Sequence, residues 1–350
     1  RSRLEGDALL SYAILEQSLA VQVEGRPYQY HDYPLNQLFG VQNGLPTYLA
    51  TQHPVERPRD AENYLKRLAA VPAALDQVME GVHLREARGI IPPRFVVEKV
   101  LEEMRGFVAT PATGNILYTS FVERLDGLRE GVLAQAERER LLAEAARLVE
   151  TGVYPAYQGL IDYYEGLLPR ARPNNGVWDL PEGPAYYAWA VRYHTTTDMT
   201  PAEVHALGLS EVARIEAGMD AILRGEGLEE GSVGARVQEI ARRPDQRYPD
   251  TDAGRLQIIE DYQAMSDAAM AIAPDWFGVL PQAGMRVERV PEFRERTAPG
   301  AYYNAPAFDG SRPGVFYINL RNIEEIARFS MRTLAYHEGV PGHHFQIALK

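Results

Sequence analysis

Apolar residues recur every three or four positions along most of this chain, a period that predicts amphipathic helices. The clearest helical stretches lie at about residues 8–20, 60–80, 93–106, 133–168, 201–225 and 252–272. One of them also carries a start signal, because Thr200 offers a capping hydroxyl, Pro201 suits the first turn and Glu203 can bond back to the cap. The sequence therefore predicts a mainly α fold.

The pattern changes late in the chain. Residues 285–290 alternate between apolar and polar side chains, and residues 314–320 are rich in β-branched and aromatic types. Both patterns are typical of strands, so we expect a small β-sheet just before the segment with the richest chemistry. Linkers are predicted at 169–184 and 297–314, where proline and glycine are frequent.

A chain of 350 residues can form one large domain or two ordinary ones. We interpret it as a single helical, catalytic-type domain over residues 1–350. The alternative is a subdivision into a helical part, 1–170, and a part that combines helices with the sheet and the motif described below, 185–350.

Composition excludes several kinds of function. A formal net charge of −12 argues against nucleic-acid binding, which needs a basic surface. The absence of cysteine leaves any metal site to histidine, aspartate and glutamate. No apolar run is long enough for a transmembrane segment, so we expect a soluble protein. A periplasmic or membrane-anchored form would need an upstream signal that has been removed, and the oligomeric state is left open.

The segment 336–346 concentrates the chemistry, because three histidines and a glutamate fall within eight residues of it. In the H-E-x-x-H pattern, two histidines one helical turn apart bind zinc, and the glutamate between them acts on the metal-bound water. Here His337 and Glu338 fit the first half, but Pro341 stands where the second histidine should be. We interpret the segment as a stretched zinc site; the alternative is a histidine pair that caps a helix or lies at the surface.

Two histidines compete for the place of the second ligand. On an unbroken helix His343 would lie about 120° around the axis from His337, whereas His344 would return to the same face. Pro341, however, has no N–H to donate to the carbonyl of His337, and Gly342 tolerates nearly any backbone conformation. A bulge that loops out two residues would bring His343 into position. We therefore expect His343 as ligand, with His344 as a second candidate for contact with metal or substrate.

These residue types suit hydrolysis. Glu338 would be the general base that takes a proton from the zinc-bound water and passes it to the leaving nitrogen. Gln346 could orient a metal ligand from behind. Phenol and guanidinium groups can donate to an oxyanion or a substrate carboxylate, although tyrosine in a loop more often serves packing. The candidates for that role are Tyr302, Tyr303, Arg312 and Tyr317.

Several unusual strings, in order along the chain, closely resemble those of the bacterial family catalogued as domain of unknown function 885. They lie at 33–38, 89–93, 194–197, 203–208, 298–303, 309–314 and 333–338. The resemblance covers essentially the whole chain. It implies a mostly helical fold like that of zinc peptidases whose third metal ligand is a glutamate on a following helix.

The resemblance also implies where further parts of the site would lie. The third ligand is expected beyond Lys350, so the chain is interpreted as truncated at its C-terminus. In such peptidases an edge strand beside the metal helix commonly holds an extended peptide by main-chain pairing. Residues 314–320 are either that strand or an ordinary core strand.

The expected function is a zinc-dependent hydrolase, most directly a metallopeptidase that cleaves peptides. Two alternatives remain, of which the first uses the same catalytic residues and the second uses none of them. One is a zinc-dependent amidohydrolase that acts on a small metabolite, and the other is a non-catalytic helical binding protein with a vestigial site.

Overall fold

The computed structural model of the protein describes residues 4–174, 176–296 and 298–349. Residues 1–3, Asn175 in the first predicted linker, Thr297 at the start of the second, and Lys350 lie outside the described residues. The chain divides into two compact units, Arg1–Gly208 and Leu209–Lys350. No described helix is both long and apolar enough to cross a membrane.

The first unit is built from helices, and apart from the first one, which has no buried residue, each of them contributes residues to the buried interior. Its helices are α1 (Gly6–Glu24), α2 (Val41–Thr47), α3 (Pro58–Glu86), α4 (Arg94–Val108), α5 (Ile116–Asp126), α6 (Gln135–Leu148), α7 (Tyr154–Leu167) and α8 (Gly183–Thr195). Tyr64 of α3 stacks on Phe121 of α5 with ring centroids 4.5 Å apart, and Tyr157 and Tyr164 of α7 are also fully buried. Such rings contribute much of the apolar area that stabilises a core. Helix α9 (Pro201–Gly225) runs across the boundary between the units.

The second unit combines helices with a three-stranded sheet. Its further elements are α10 (Val233–Ala241), α11 (Asp252–Ile272), β1 (Met285–Arg289), β2 (Ala301–Asn304), β3 (Gly314–Ile318), α12 (Arg328–Glu338) and α13 (Gly342–Ala348). The strand order is β1-β3-β2, with β3 parallel to β1 and antiparallel to β2.

One face of the sheet carries the core of the second unit. Phe316 of β3 is directly opposite Val287 of β1 and Tyr303 of β2, so these three side chains point to the same face. They pack in one apolar cluster with Met331 and Ala335 of α12. Helix α12, which carries the first half of the histidine motif, therefore lies on this face of the sheet.

The predicted mainly α fold with a small sheet is confirmed. The six predicted helical stretches correspond to α1, α3, α4, the pair α6 and α7, α9 and α11, and both predicted strands are present as β1 and β3. The start signal of α9 also forms. The hydroxyl of Thr200 accepts from the backbone N–H of Glu203 at 3.2 Å, and the Glu203 carboxylate accepts from the N–H of Thr200 at 2.8 Å.

The structure decides one open alternative about the sheet and corrects one prediction. Strand β3 is the central strand and all its residues are buried, so of the two alternatives for 314–320 the structure has the ordinary core strand. Its apolar side chains on both faces fit a strand that is covered on both sides. The predicted linker 297–314 contains β2, an edge strand that pairs with β3. Its four residues are too few to show a strand period between glycine and proline neighbours.

Candidate metal centre

Contacts with α11 and with the segment just before it hold the start of α12 in place. The side-chain oxygen of Gln246 accepts from the backbone N–H of Phe329 at 3.0 Å, which satisfies one of the free donors of the first turn. Arg328 lies 3.8 Å from the ring centroid of Tyr248 and donates to Asp261 of α11 at 3.0 Å. The hydroxyl of Tyr248 also donates to Asp261, and burial together with this carboxylate raises the pKa of Tyr248.

The helix ends at Glu338 and a new one begins at Gly342. Gly339 still donates its N–H to the carbonyl of Ala335 at 2.8 Å, but its backbone angles, φ −95° and ψ −118°, leave the helical region. The peptide bond before Pro341 is cis. The interruption expected at Pro341 is present, but it is a break between two helices and not the predicted bulge within one.

Two glycines allow the chain to turn this tightly. A Cβ atom at position 342 would lie 1.9 Å from the carbonyl oxygen of His337. A Cβ atom at position 339 would lie 2.7 Å from the carbonyl oxygen of Ala335 and 2.8 Å from the hydroxyl of Ser266 in α11. Real Cβ atoms do not approach other atoms this closely, so Gly339 and Gly342 permit the close approach of α13 to the end of α12.

The break brings His343 back to His337. The two imidazole rings are nearly perpendicular, with centroids 4.9 Å apart. Nε2 of His343 lies 3.9 Å from Oε2 of Glu338. One ligand atom from each of His337, Glu338 and His343 lies within 4.8 Å of the other two. Since Glu338 is buried, His343 half-buried and His337 exposed, the cluster is open to solvent on the His337 side.

This cluster has donor types that zinc accepts, at separations somewhat wider than a bound ion requires. Atoms bound to one tetrahedral zinc ion at about 2.0–2.1 Å are about 3.3 Å from each other, so side chains that now lie within 4.8 Å would have to move closer by up to about 1.5 Å. Imidazole and carboxylate are both ligands that zinc accepts. In the part of the chain that the structure describes, this is the one group of three potential ligands with such spacing.

Gln346 lies against the ligand candidate on α13. Nδ1 of His343 lies 2.9 Å from the side-chain oxygen of Gln346. When Nδ1 carries the proton and donates to this oxygen, Nε2 has its lone pair free and directed toward Glu338. The contact is of the kind that sets the tautomer and ring orientation of a metal-binding histidine.

His344 points away from the cluster. Its side chain is completely buried, and its Nδ1 is hydrogen-bonded to the hydroxyl of Tyr303 at 2.7 Å. Burial lowers the pKa of His344, and the backbone of Ala283 partly opposes that shift. Burial also raises the pKa of Tyr303 to about 12, with the positive charge of Arg312 acting in the opposite direction. Both rings are therefore neutral near pH 7.

The other predicted site residues are not brought to the cluster. Tyr302 and Tyr317 lie on the opposite face of the sheet from α12, where their rings stack with centroids 5.0 Å apart. Alternation along β2 explains this placement, because Tyr302 and Tyr303 must point to opposite faces. Arg312, in the loop between β2 and β3, donates to the carbonyl of Ala305 at 2.8 Å and lies near Tyr303.

Sequence reasoning missed two features of this site. Ser266 packs against Gly339, and no motif in α11 marks that serine. Tyr303 and His344 were considered separately as substrate or metal contacts, whereas the structure joins them to each other. The alternation of β2 would have separated Tyr303 from Tyr302, had the strand been recognised.

The fold and the site define a class of protein: a mainly helical protein with a His-Glu-His cluster at a break between two helices. The family profile described as "Bacterial protein of unknown function (DUF885)" matches residues 1–350. The chain belongs to this family, as its sequence strings predicted. The finer likeness to zinc peptidases stays a prediction.

A solved structure shares the fold. One match is a protein described as the "putative lipoprotein from Colwellia psychrerythraea", with a TM-score of 0.86 and 30% sequence identity. The alignment covers 91% of this chain and 54% of that one, so this chain spans about half the length of the protein that it matches. No curated protein matches the sequence.

Proposed function

We propose that this protein is a zinc-dependent hydrolase, most directly a metallopeptidase that cleaves peptides. The observation that carries the proposal is the cluster of His337, Glu338 and His343, which converges at a helix break although the second histidine is six residues from the first. A helix break gives up backbone hydrogen bonds within the helix. Here the break brings together three groups that zinc accepts.

His337 and His343 would hold the ion through one ring nitrogen each. Gln346 supports this role, because a hydrogen bond from Nδ1 of His343 to its side-chain oxygen would leave Nε2 available as a metal ligand. Zinc held there would supply a water of lowered pKa and would polarise a carbonyl group. A glutamate on a following helix would complete the ligand set, as the resemblance to helical zinc peptidases implies.

Glu338 would act as the general base. Its carboxylate lies 3.9 Å from Nε2 of His343, so it would be near water activated by an ion held on His337 and His343 without having to be a ligand itself. The carboxylate takes one proton from water as the water oxygen attacks the carbonyl carbon of the substrate. It then gives this proton to the amide nitrogen as the C–N bond breaks, so that the products are a carboxylic acid and an amine.

The edge strand beside the cluster supports an extended peptide as substrate. Strand β2 lies at the edge of the sheet, and its Tyr303 contacts His344, the neighbour of His343. An edge strand can bind a peptide through main-chain hydrogen bonds. In this proposal β2 takes the peptide-binding role for which 314–320 was one candidate.

The test compares zinc content with hydrolysis of a peptide library in the purified protein, extended through the following helix that would carry the third ligand, and in three variants of it. This extended wild type should hold about one zinc ion per chain. Glu338→Gln should keep the zinc and lose at least about 100-fold in rate, because general base catalysis is worth that much. His337→Ala should lose both. Glu324→Gln, an exposed glutamate before α12, is the matched control and should behave like the wild type.

Each failure of this test has its own meaning. A wild-type protein without zinc would contradict the proposed function. Full activity in Glu338→Gln would exclude Glu338 as the base. Loss of zinc from Glu338→Gln would make this residue a ligand instead.

The proposal includes a cellular setting. The description of the Colwellia psychrerythraea protein as a lipoprotein is compatible with a membrane-anchored form of this one. We therefore expect the native protein to sediment with membranes, and its recovery in the cytoplasmic fraction would contradict this setting.

A further inference from the structure

Tyr303 and His344 form a buried polar pair beside the cluster, and the proposed reaction uses neither of them. The hydroxyl of Tyr303 and Nδ1 of His344 share a hydrogen bond of 2.7 Å, and the ring centroids are 5.8 Å apart. The pair joins two elements that are distant in sequence, because Tyr303 is on strand β2 and His344 is on helix α13.

We propose that Tyr303 is a positioning residue for the metal site: by its hydrogen bond to His344 it fixes the rotation of α13, and thereby the direction of the His343 side chain. This inference rests on the proposed metal site, and it assigns Tyr303 and His344 a role other than contact with substrate or metal.

Helix α13 needs such a contact because it is short. It has seven residues, and helices of this length do not hold their own shape in water. Its apolar contact is Phe345, which packs against Phe277 with centroids 4.8 Å apart and belongs to a cluster with Ala273 and Val340. Apolar packing is not directional, whereas a hydrogen bond is. The bond from Tyr303 therefore adds an angular constraint to those that the backbone hydrogen bonds at the start of α13 already provide.

Tyr303 is itself rigidly held. Its backbone pairs with Phe316 of the central strand. Its ring lies against the backbone of Gly314, where an added Cβ atom would come 1.9 Å from the hydroxyl oxygen and 2.7 Å from the adjoining ring carbon. Glycine at this position leaves the space that the tyrosine fills. Tyr303, held in place by the sheet, thus limits the orientation of α13.

Neighbouring positions on α13 make the consequence direct. Successive residues of a helix differ by about 100° in direction, so turning His344 about the helix axis turns His343 by the same angle. Ligand geometry tolerates deviations of only about 0.2 Å in bond length. If the His344 side chain were free to rotate, His343 would be less well placed and the affinity for the metal would be lower.

The test uses Co²⁺, whose visible absorption reports the geometry of its ligands. Tyr303→Phe should bind Co²⁺ about 10–100-fold more weakly than the wild type, with altered absorption bands, as found when supports of metal ligands are removed. Tyr302→Phe is the matched control, because its hydroxyl lies on the other face of the sheet near Arg294. It should leave affinity and spectrum unchanged.

A second pair of variants separates the hydrogen bond from packing. His344→Asn keeps an acceptor for the Tyr303 hydroxyl, whereas His344→Leu removes it while filling the space. His344→Asn should bind Co²⁺ more tightly than His344→Leu, and this rescue would not occur if His344 served packing alone. Thermal unfolding without metal establishes that each variant is folded.

The outcomes distinguish this inference from the function on which it rests. If the wild type binds neither Co²⁺ nor Zn²⁺, the proposed function fails, and the inference fails with it. If the wild type binds Co²⁺ and Tyr303→Phe matches its affinity and spectrum, the inference alone is overturned. Equal affinities of His344→Asn and His344→Leu would overturn it as well.

Discussion

Replacing Gly342 with alanine tests whether the break between α12 and α13 builds the metal site. The new Cβ atom would lie 1.9 Å from the carbonyl oxygen of His337 and 2.4 Å from that of Tyr336. Both are backbone atoms of α12, which cannot rotate away as a side chain can. Ordinary contact begins at 3.4 Å, so the two helices must separate by about 1.5 Å.

This displacement is large compared with the tolerance of a metal site. Bond lengths to zinc vary by about 0.2 Å, so a shift of about 1.5 Å removes His343 from reach of an ion that stays on His337. Loss of a contact that supports a ligand lowers metal affinity by about 10–100-fold. Loss of the ligand itself should therefore lower zinc affinity by at least about 100-fold. Crowding at the corner should also lower the free energy of unfolding by about 1–3 kcal/mol.

Calorimetric titration with Zn²⁺, together with urea unfolding of the metal-free protein, measures both effects. Gly300→Ala is the matched control, because a Cβ atom at this position meets nothing within 4 Å. The control should bind zinc like the wild type. If Gly342→Ala also binds zinc with wild-type affinity, the break does not position the ligands, and the reasoning from the corner geometry is refuted.

Two further predictions concern the ligand helix and the first unit. His343→Ala should abolish zinc binding, whereas Gln346→Ala should weaken it by about 10-fold in the same titration; equal losses would contradict the assigned roles. Burial, with a smaller contribution from Arg67 and Arg124, lowers the pKa of His53. Below about pH 6.5 the unfolded chain therefore binds a proton that the folded chain does not. The free energy of unfolding should accordingly decrease as the pH is lowered. His53→Phe should flatten this fall in urea unfolding, and an unchanged slope would exclude His53 as its source.

Helix positions could be predicted from the sequence because burial of one face imposes a period on it. Helices α9 and α11 were predicted with the bounds that the structure gives them, and in α9 the capping contacts of Thr200 and Glu203 form as well. The interruption of the site helix was predictable for a similar reason. Proline removes a donor wherever it occurs, and this consequence does not depend on the rest of the fold.

The placement of the tyrosines could not be predicted in this way. Tyr302 and Tyr303 are adjacent and chemically identical, yet one stacks on Tyr317 on the far face of the sheet and the other reaches His344. The difference is set by the register of β2 against β3, which depends on pairing between strands and not on the residues of β2 alone. A four-residue strand carries too little pattern to reveal that register.

The choice between His343 and His344 shows where local and tertiary causes meet. A continuous helix would have put His344 on the face of His337, and the break instead gives that place to His343. His344, turned inward by the same break, loses its solvent and needs a polar partner, because a buried imidazole without one is costly. Tyr303 supplies this partner from the sheet. The break between α12 and α13 thus creates both the candidate ligand pair, His337 and His343, and the buried group that can hold this pair in place. A substitution at Tyr303 should therefore alter the position of His343, although the two side chains belong to different elements.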